Sequence, residues 1–282
     1  KICDEIFGEE NFINTISVNM KNVAGASGGG EDRKLKKNIE YLHVYAKSRN
    51  DLPALGGVYD YKPISELVEE YREQGKSWKY TSILYDEGEK KLVGTTETGS
   101  GDNINIYECI GAEIKTINQI IKEEGISEEA AYIKYAAEIF EAKDAQSSIR
   151  TRIIEYREKH SIASDIVAID YVPKTGRNKG KLYTQYYKGE KCRLFAWLKD
   201  VGEFVDGVLC KKDKLGTFWD LTGQINNLTK EGDIQFSNGK KPISLIHNII
   251  KLFPESENLI VLDFFSGSAT TAHAAMQLNA ED

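Results

Sequence analysis

The residues best suited to chemistry lie in one short segment near the end of the chain, Asp263-Phe-Phe-Ser-Gly-Ser-Ala-Thr-Thr271. The apolar run from Leu259 to Leu262 directly before it predicts a buried strand of a parallel sheet. Gly267 can adopt a backbone conformation that other residues avoid, and Ser268 or Thr270 can cap a helix that follows. A strand, a glycine-containing turn and a helix N-terminus form a nucleotide site at the carboxyl end of a parallel strand.

The composition of this turn argues against two known types of nucleotide-binding loop. A P-loop requires Gly-x4-Gly-Lys-Ser/Thr, which the chain lacks, and the dinucleotide fingerprint requires three spaced glycines where the turn has Gly267 alone. The alternative is a purely structural turn, but small residues, aromatics and caps coincide here over nine positions. The segment closely resembles the D-x-F-x-G-S-G-T-T motif of amino-methylating DNA methyltransferases, whose loop binds S-adenosylmethionine. The cofactor-binding residues that this resemblance implies are Asp263, Phe264, Phe265, Ser266, Gly267, Ser268, Thr270 and Thr271.

Ala269 departs from the family motif, which has a second glycine at that position. The extra methyl group is harmless if Ala269 is already helical. It crowds the ligand if the residue requires a positive φ. The sequence leaves both outcomes open.

A second cofactor element is predicted around Lys241 and Pro242, because proline is favoured in the first turn of a helix and an apolar stripe follows it. On sequence alone, Lys241 is an ordinary exposed lysine before a helix. In the family that the turn resembles, the Lys-Pro helix lies beside the cofactor loop and contacts the methionine end of the cofactor. The resemblance therefore makes Lys241 the candidate for the methionine carboxylate, with Pro242 beside it.

The chain of 282 residues suits one large or two ordinary domains. Its four cysteines are scattered without a CxxC pair, which predicts no metal site and a reducing, cytoplasmic setting. No apolar run is long enough for a membrane span, and we recognise no signal peptide. The formal charge of -7 argues against nucleic-acid binding over the whole surface, so any such site must be local.

Two predicted strands, in residues 11–18 and 39–46, flank a segment that is first glycine-rich and then basic. Such a loop is either functional or a disordered linker. The string Asn38 to Lys47, and the opening Cys3-Asp-Glu-Ile-Phe-Gly-Glu-Glu-Asn-Phe12, resemble the methylating subunit of type III restriction-modification systems, in which the loop faces the flipped base. An opening helix that ends at Gly8 is also predicted.

The middle of the chain is mixed, charged and rich in tyrosine, with predicted helices at residues 64–71, 113–122 and 128–140. Two basic segments lie within it, Ser147 to Arg152 and Pro173 to Arg193, the second with seven basic residues against one acidic residue. Lysine and arginine neutralise DNA phosphates, although a solvated basic hairpin without a partner has the same composition. The candidate DNA contacts along the chain are Arg33, Lys36, Lys37, Arg150, Arg152, Lys174, Arg177, Asn178, Lys179, Lys181 and Lys188.

Methylation of an exocyclic amine requires a polar tetrad such as D-P-P-Y, which contacts the flipped base. No such string occurs, and Asp170-Tyr-Val-Pro173 is only a distant approximation, so no catalytic residue is assigned. In one subclass of the family the tetrad precedes the recognition region and the cofactor loop. The order found here matches that subclass, which places the tetrad before Lys1 and makes the chain a piece of a longer enzyme.

The fold expected from these resemblances is α/β, a Rossmann-like S-adenosylmethionine-dependent methyltransferase domain interrupted by an α/β target-recognition insert. Residues 1–49 and 214–282 would form the catalytic domain, and residues 50–213 the recognition region. The expected function is part of a type III DNA adenine-N6 methyltransferase of the bacterial cytoplasm, inactive as this chain alone. Its implied partners are double-stranded DNA, a restriction subunit and a second methylating subunit. The alternatives are a non-enzymatic DNA-recognition module with a vestigial cofactor pocket, and a cytosine-N4 methyltransferase.

Overall fold

The computed structural model describes residues 1–21, 37–99, 101–174, 178–228, 231–233, 236, 239–253 and 258–281. The chain divides into two compact units. Unit 1 combines Lys1–Asp60 with Asp213–Asp282, and unit 2 is Tyr61–Lys212. The predicted insert, residues 50–213, therefore begins eleven residues before unit 2 and ends one residue after it.

The helices and strands are numbered in chain order. The helices are α1 (Ile2–Phe7), α2 (Ile64–Glu73), α3 (Ile117–Glu124), α4 (Glu128–Lys134), α5 (Ser148–His160), α6 (Ile243–Lys251) and α7 (Thr270–Glu281). The strands are β1 (Phe12–Asn19), β2 (Ile39–Tyr45), β3 (Tyr59–Pro63), β4 (Ser82–Asp86), β5 (Glu89–Glu97), β6 (Asn103–Ile110), β7 (Glu113–Thr116), β8 (Ile139–Lys143), β9 (Ile166–Tyr171), β10 (Tyr183–Lys188), β11 (Arg193–Trp197), β12 (Gly202–Val205), β13 (Val208–Lys214) and β14 (Phe218–Asp220).

Unit 1 is built on a three-stranded sheet with the order β14-β1-β2. The strand β1 runs parallel to β14 and antiparallel to β2, with Ile16 opposite Leu42. Alternate residues of β1 enter a core that α6 covers, because strand side chains point to opposite faces. The buried members of this core are Ile16, Val18, Met20, Trp219, Leu221 and Leu245. The strands predicted in residues 11–18 and 39–46 are confirmed.

The opening helix α1 ends where the sequence predicts. Gly8 has a φ of 85°, and its N–H donates to the Asp4 carbonyl at 2.9 Å. Glycine tolerates this conformation without a steric penalty. Asp4 also accepts a hydrogen bond from the Tyr45 hydroxyl at 2.6 Å, which raises the pKa of Tyr45 to about 12 and links α1 to β2.

The prediction of a buried strand at Leu259 to Leu262 is wrong. These residues form no strand, and the side chains of Ile260 and Leu262 are 91% and 72% exposed. The physical reason is that a strand requires a neighbour for its N–H and C=O groups. Among the described strands, none pairs with this run. The apolar pattern is therefore present without the sheet that would bury it.

Unit 2 contains an eight-stranded sheet in the order β5-β6-β9-β10-β11-β8-β4-β7, in which every pair of neighbours is antiparallel. Alternate residues along each strand point to opposite faces of this sheet. One face packs against α2, α3, α4 and α5, whereas the core cluster on the other face consists of strand residues. The rings of Phe140 and Phe195 stack on this second face at 3.7 Å between centroids. A smaller sheet has the order β12-β13-β3.

Two of the three predicted helices in unit 2 are partly wrong. Residues 113–116 form β7, because Thr116 and Gln119 build a reciprocal cap that starts α3 only at Ile117. In residues 128–140, α4 ends at Lys134, and Ile139 and Phe140 pair with β4 instead. The apolar spacing suited a helix, but pairing with a distant strand decided the outcome. The helix at residues 64–71 is confirmed as α2.

The helices of the described residues lack the combination of length and apolar character that a membrane span requires. The His, Cys, Asp and Glu side chains of the same residues form no group of three or more that could bind a metal ion.

Replacement of Phe140 by Ala tests the second face of the large sheet. We expect the substitution to lower the free energy of unfolding by about 3–5 kcal/mol, because Phe140 is 1% exposed and its removal leaves a cavity against Phe195. Urea unfolding followed by circular dichroism measures the change. The control, Val172→Ala at a side chain 46% exposed, should stay within about 0.5 kcal/mol of wild type. Equal losses for both variants would contradict this packing.

Candidate functional site

The turn between residues 263 and 271 is held by the side chain at its start. One carboxylate oxygen of Asp263 accepts the N–H of Phe265 at 3.0 Å. The other accepts the hydroxyl of Thr271, in the first turn of α7, at 2.8 Å. Because both oxygens are used, the carboxylate fixes the turn and its junction with the helix together.

Two residues of the turn have left-handed backbones. Gly267 has a φ of 51°, which confirms the predicted need for glycine there. Ala269 has a φ of 56°, so of the two outcomes that the sequence left open the observed one is the positive φ, for which we expected the methyl group to crowd a ligand. Its N–H donates to the Ser266 carbonyl at 2.6 Å, and its carbonyl accepts from the N–H of His273 at 3.0 Å. Ala269 thus closes the turn and starts α7, at a cost of about 1–2 kcal/mol relative to glycine.

Ser268 and Thr270 were predicted to cap α7, and their described hydrogen bonds go elsewhere. Their hydroxyls contact each other at 2.8 Å, and the Thr270 hydroxyl donates to the Lys241 carbonyl at 3.4 Å. Thr270 is buried, at 8% exposure. These bonds connect the start of α7 to the segment that precedes α6.

The Lys-Pro segment lies beside this turn. The helix α6 begins at Ile243, whose N–H donates to the Glu231 carboxylate at 3.1 Å. Further along, His247 Nε2 lies 3.2 Å from the Ala274 carbonyl of α7. The segment that contains α6 therefore contacts α7 at two points, as the resemblance implies.

Lys241 has a partner that the sequence did not predict. Its ammonium group forms an ion pair with the carboxylate of Glu40 on β2, and the two side chains are 36% and 43% exposed. The neighbouring Lys240 is 9% exposed, and its ammonium donates to the Glu231 carbonyl at 2.5 Å. Of the two lysines, Lys241 is thus the more accessible. Glu40 belongs to the string Asn38 to Lys47, which is the signal that could have identified it.

The predicted cofactor residues do not all lie in one cluster. Thr270, Ser268, Lys241 and Pro242 lie together at the junction of α6 and α7. The aromatic pair is not part of this cluster, because Phe264 and Phe265 are 82% and 91% exposed. Gly267 is the neighbour of another aromatic residue, since a Cβ added there would meet the Phe236 ring at 3.8 Å.

A polar pair at the carboxyl ends of two parallel strands was missed by the sequence analysis. Asp220 ends β14, and its carboxylate accepts the N–H of Thr222 at 3.0 Å and the amide of Asn19, the last residue of β1, at 3.4 Å. These bonds, the backbone N–H of Thr222 foremost, lower the pKa of Asp220. Ligands of α/β proteins bind at this edge of the sheet. The signal in the sequence that could have indicated this pair is an aspartate, Asp220, directly after the short apolar string Phe218-Trp219.

The candidate DNA contacts differ in whether other groups of the protein already pair with their charged side chains. Arg33, Lys36 and Arg177 lie outside the described residues, and Lys37 is exposed. Arg150 donates to the carbonyls of Ala145, Lys191 and Cys192 and pairs with Asp144 at 2.7 Å. A guanidinium so fully used ties α5 to the turn before β11 and has little capacity left for a DNA phosphate. Lys174 is paired with Asp102 at 3.0 Å.

The remaining predicted cations of the basic segment are more available. Lys179 and Lys181 are exposed beside Asn178, and Lys188 ends β10 at partial exposure. In the part of the chain that the structure describes, these three lysines have no ion pair, although cations such as Lys115, Lys134 and Lys212 do. Arg152 is partly buried on α5. The arrangement leaves a local excess of positive charge on an acidic protein.

Comparison with known proteins identifies the family. The model of the DNA methylase family matches residues 92–281, more than half of the chain. The chain therefore belongs to the DNA methylase family.

Three curated relatives match essentially the whole chain. It is 37% identical over 279 residues to the "Probable type III restriction-modification enzyme HindVI Mod subunit" of Haemophilus influenzae, covering 99% of this chain and 36% of the relative. It is 26% identical over 295 residues to the type II methyltransferase M.KpnI of Klebsiella pneumoniae, covering 100% and 55%. It is 28% identical over 285 residues to the StyLTI Mod subunit of Salmonella typhimurium, covering 100% and 33%. The chain thus spans between a third and just over half of these relatives.

Substitution of Ala269 by Gly tests the strain in the turn. We expect the free energy of unfolding to rise by about 1 kcal/mol, because glycine adopts a positive φ without a steric penalty. Denaturant unfolding measures the difference. The same substitution at Ala272, an exposed position inside α7, should instead lower the free energy of unfolding by about 1 kcal/mol. If both substitutions change the free energy of unfolding in the same direction, the left-handed conformation of Ala269 is refuted.

Proposed function

We propose that this chain is part of a DNA adenine-N6 methyltransferase of a type III restriction-modification system, which transfers a methyl group from S-adenosylmethionine to an adenine flipped out of the duplex. Membership of the DNA methylase family and the similarity to two Mod subunits support the proposal. The observation that carries it is geometric. The Asp263 turn, with its helix N-terminus, lies against the Lys-Pro segment through the bond from Thr270 to the Lys241 carbonyl.

Apart from the methyl group of Ala269, which narrows the space at the turn, the groups at this junction fit the chemistry of the proposed cofactor. Hydroxyls and the first N–H groups of α7 are hydrogen-bond donors for a polar ligand at a helix N-terminus. The Lys241 ammonium would hold the methionine carboxylate, and Glu40, its present partner, suits the methionine ammonium. When bound, S-adenosylmethionine supplies a methyl group on a positively charged sulfur. The described residues would bind and orient the cofactor.

We assign the two units different tasks in this proposal. Unit 1 would be the Rossmann-like, cofactor-binding part, and unit 2 the target-recognition region, with Lys179, Lys181 and Lys188 as phosphate contacts and Asn178 beside them. Phosphate contacts position a protein on the duplex, whereas amide side chains can read base edges. The partners in this proposal are double-stranded DNA, a restriction subunit and a second methylating subunit, in the bacterial cytoplasm.

Calorimetric titration with S-adenosylmethionine tests the cofactor site. We expect Lys241→Gln to weaken binding about tenfold or more, because a charge-assisted bond to the carboxylate contributes about 1.5–3 kcal/mol. Lys251→Gln removes an equal charge from the exposed end of the same helix and should leave the affinity unchanged. Absence of binding to wild type, or equal losses in both variants, would contradict the assignment.

Fluorescence anisotropy with a labelled DNA duplex at several salt concentrations tests the DNA interface. The triple substitution of Lys179, Lys181 and Lys188 by Gln should weaken binding and reduce the slope of log affinity against log salt by up to about 2.7, since each phosphate contact contributes about 0.9. The matched control replaces the ion-paired Lys115, Lys134 and Lys212 by Gln and changes the net charge equally. If the control weakens DNA binding as much as the triple variant does, the loss comes from net charge alone and the proposed interface is wrong.

A further inference from the structure

Unit 2 contains a cavity of about 400 Å³ that the proposed function does not use. It lies between α2, α3 and α4, and the segment after α2 closes one side. Its volume falls within the range of about 300–1,000 Å³ that is typical of small-molecule sites. The cavity is therefore large enough for a compact organic ligand.

The lining has an apolar part and a polar part. Val68, Trp78, Ile117 and Tyr132 are all at most 8% exposed and form the apolar part. Lys76, Thr81 and Asn118 are among the polar residues. A planar ligand with one charged end matches such a lining, because the ring meets apolar surface and the charge meets the polar side.

A buried donor without an acceptor lies in this lining. Trp78 is 8% exposed, and its Nε1–H has no hydrogen-bond partner in the described structure. The rings of Tyr71 and Tyr80 hold the indole, with centroids at 5.3 and 5.6 Å. Leaving such a group unsatisfied costs about 1–3 kcal/mol, so the packing around this lining residue is not optimal without a ligand.

The charges around the cavity favour an anion. Two cations, Arg72 and Lys76, line it with one carboxylate, Glu128. Arg72 is paired with Glu128 at 3.2 Å, whereas the described bond of the Lys76 ammonium goes to the neutral Gln74 side chain at 2.8 Å. The Lys76 charge is thus not neutralised by that contact. A phosphate supplies the complementary charge and several acceptor oxygens.

We infer that this cavity binds a phosphate-bearing nucleotide, with the base against the apolar part and the phosphate toward Lys76. The cavity gives unit 2 a ligand site of its own, separate in its residues from the basic segment and from the junction of α6 and α7. The nucleotide is either free or an unpaired nucleotide of a DNA strand, since both carry a base and a phosphate group.

Nitrogen–proton NMR of the indole groups in the 282-residue chain tests this inference directly. The protein has three tryptophans, Trp78, Trp197 and Trp219, and the spectrum of Trp78→Phe assigns the first. We expect deoxyadenosine monophosphate to move the Trp78 signal and leave the other two in place. A single-stranded DNA oligonucleotide in a parallel titration distinguishes the sources, because movement with the oligonucleotide identifies a strand and movement with the mononucleotide alone identifies a free ligand.

Variants of two neighbouring lysines separate specific binding from general attraction. Lys76→Gln should weaken the binding reported by the Trp78 signal about tenfold. Lys79→Gln, at a lysine 59% exposed and not part of the lining, should leave it unchanged. The inference is overturned if neither the mononucleotide nor the single-stranded oligonucleotide moves the Trp78 signal. Equal effects of both variants, or equal movement with inorganic phosphate, would overturn it as well.

Discussion

The carboxylate of Asp263 is the contact on which the proposed site depends most. It accepts a backbone N–H inside the turn and a hydroxyl from the first turn of α7, so one side chain fixes both the loop and the direction of the helix. The turn contains two left-handed residues, and one of them, Ala269, is unfavourable there. Such a conformation persists only where surrounding contacts stabilise it. The bonds to Asp263, and those from Thr270 and His247 to neighbouring carbonyls, supply that stabilisation.

The apolar run before Asp263 shows a second constraint. Leu259 to Leu262 have the composition of a buried strand, but their side chains are exposed because no described strand lies beside them. Side-chain pattern specifies which face of a strand is apolar, whereas burial requires a partner with free backbone groups. The turn and the helix α7 form without this pairing. The local geometry of the proposed site is therefore set by hydrogen bonds within residues 263–274 and by α6.

Local signals in the sequence were enough for some elements and not for others. The strands β1 and β2, the helix end at Gly8 and the left-handed Gly267 follow from alternation and from the conformational freedom of glycine. The boundary between β7 and α3 and the strand β8 depend on pairing with residues distant in sequence, which periodicity does not report. The ion pair between Lys241 and Glu40 joins residues 201 positions apart, so local patterns could not predict the pairing, although the resemblance of the string Asn38 to Lys47 pointed to the region of Glu40. For Ala269 the sequence left a helical conformation and a positive φ open, and the structure has the positive φ.

We propose that the turn from Asp263 to Thr271 and the start of α7 bind S-adenosylmethionine. Hydrogen–deuterium exchange of the 282-residue chain, with and without saturating S-adenosylmethionine, tests it without any substitution. We predict slower amide exchange in peptides that cover residues 265–273 and in those that contain Lys241, because the ligand would cover these N–H groups or stabilise the contact between α6 and α7. Unchanged exchange in these peptides, or protection confined to unit 2, would contradict the account.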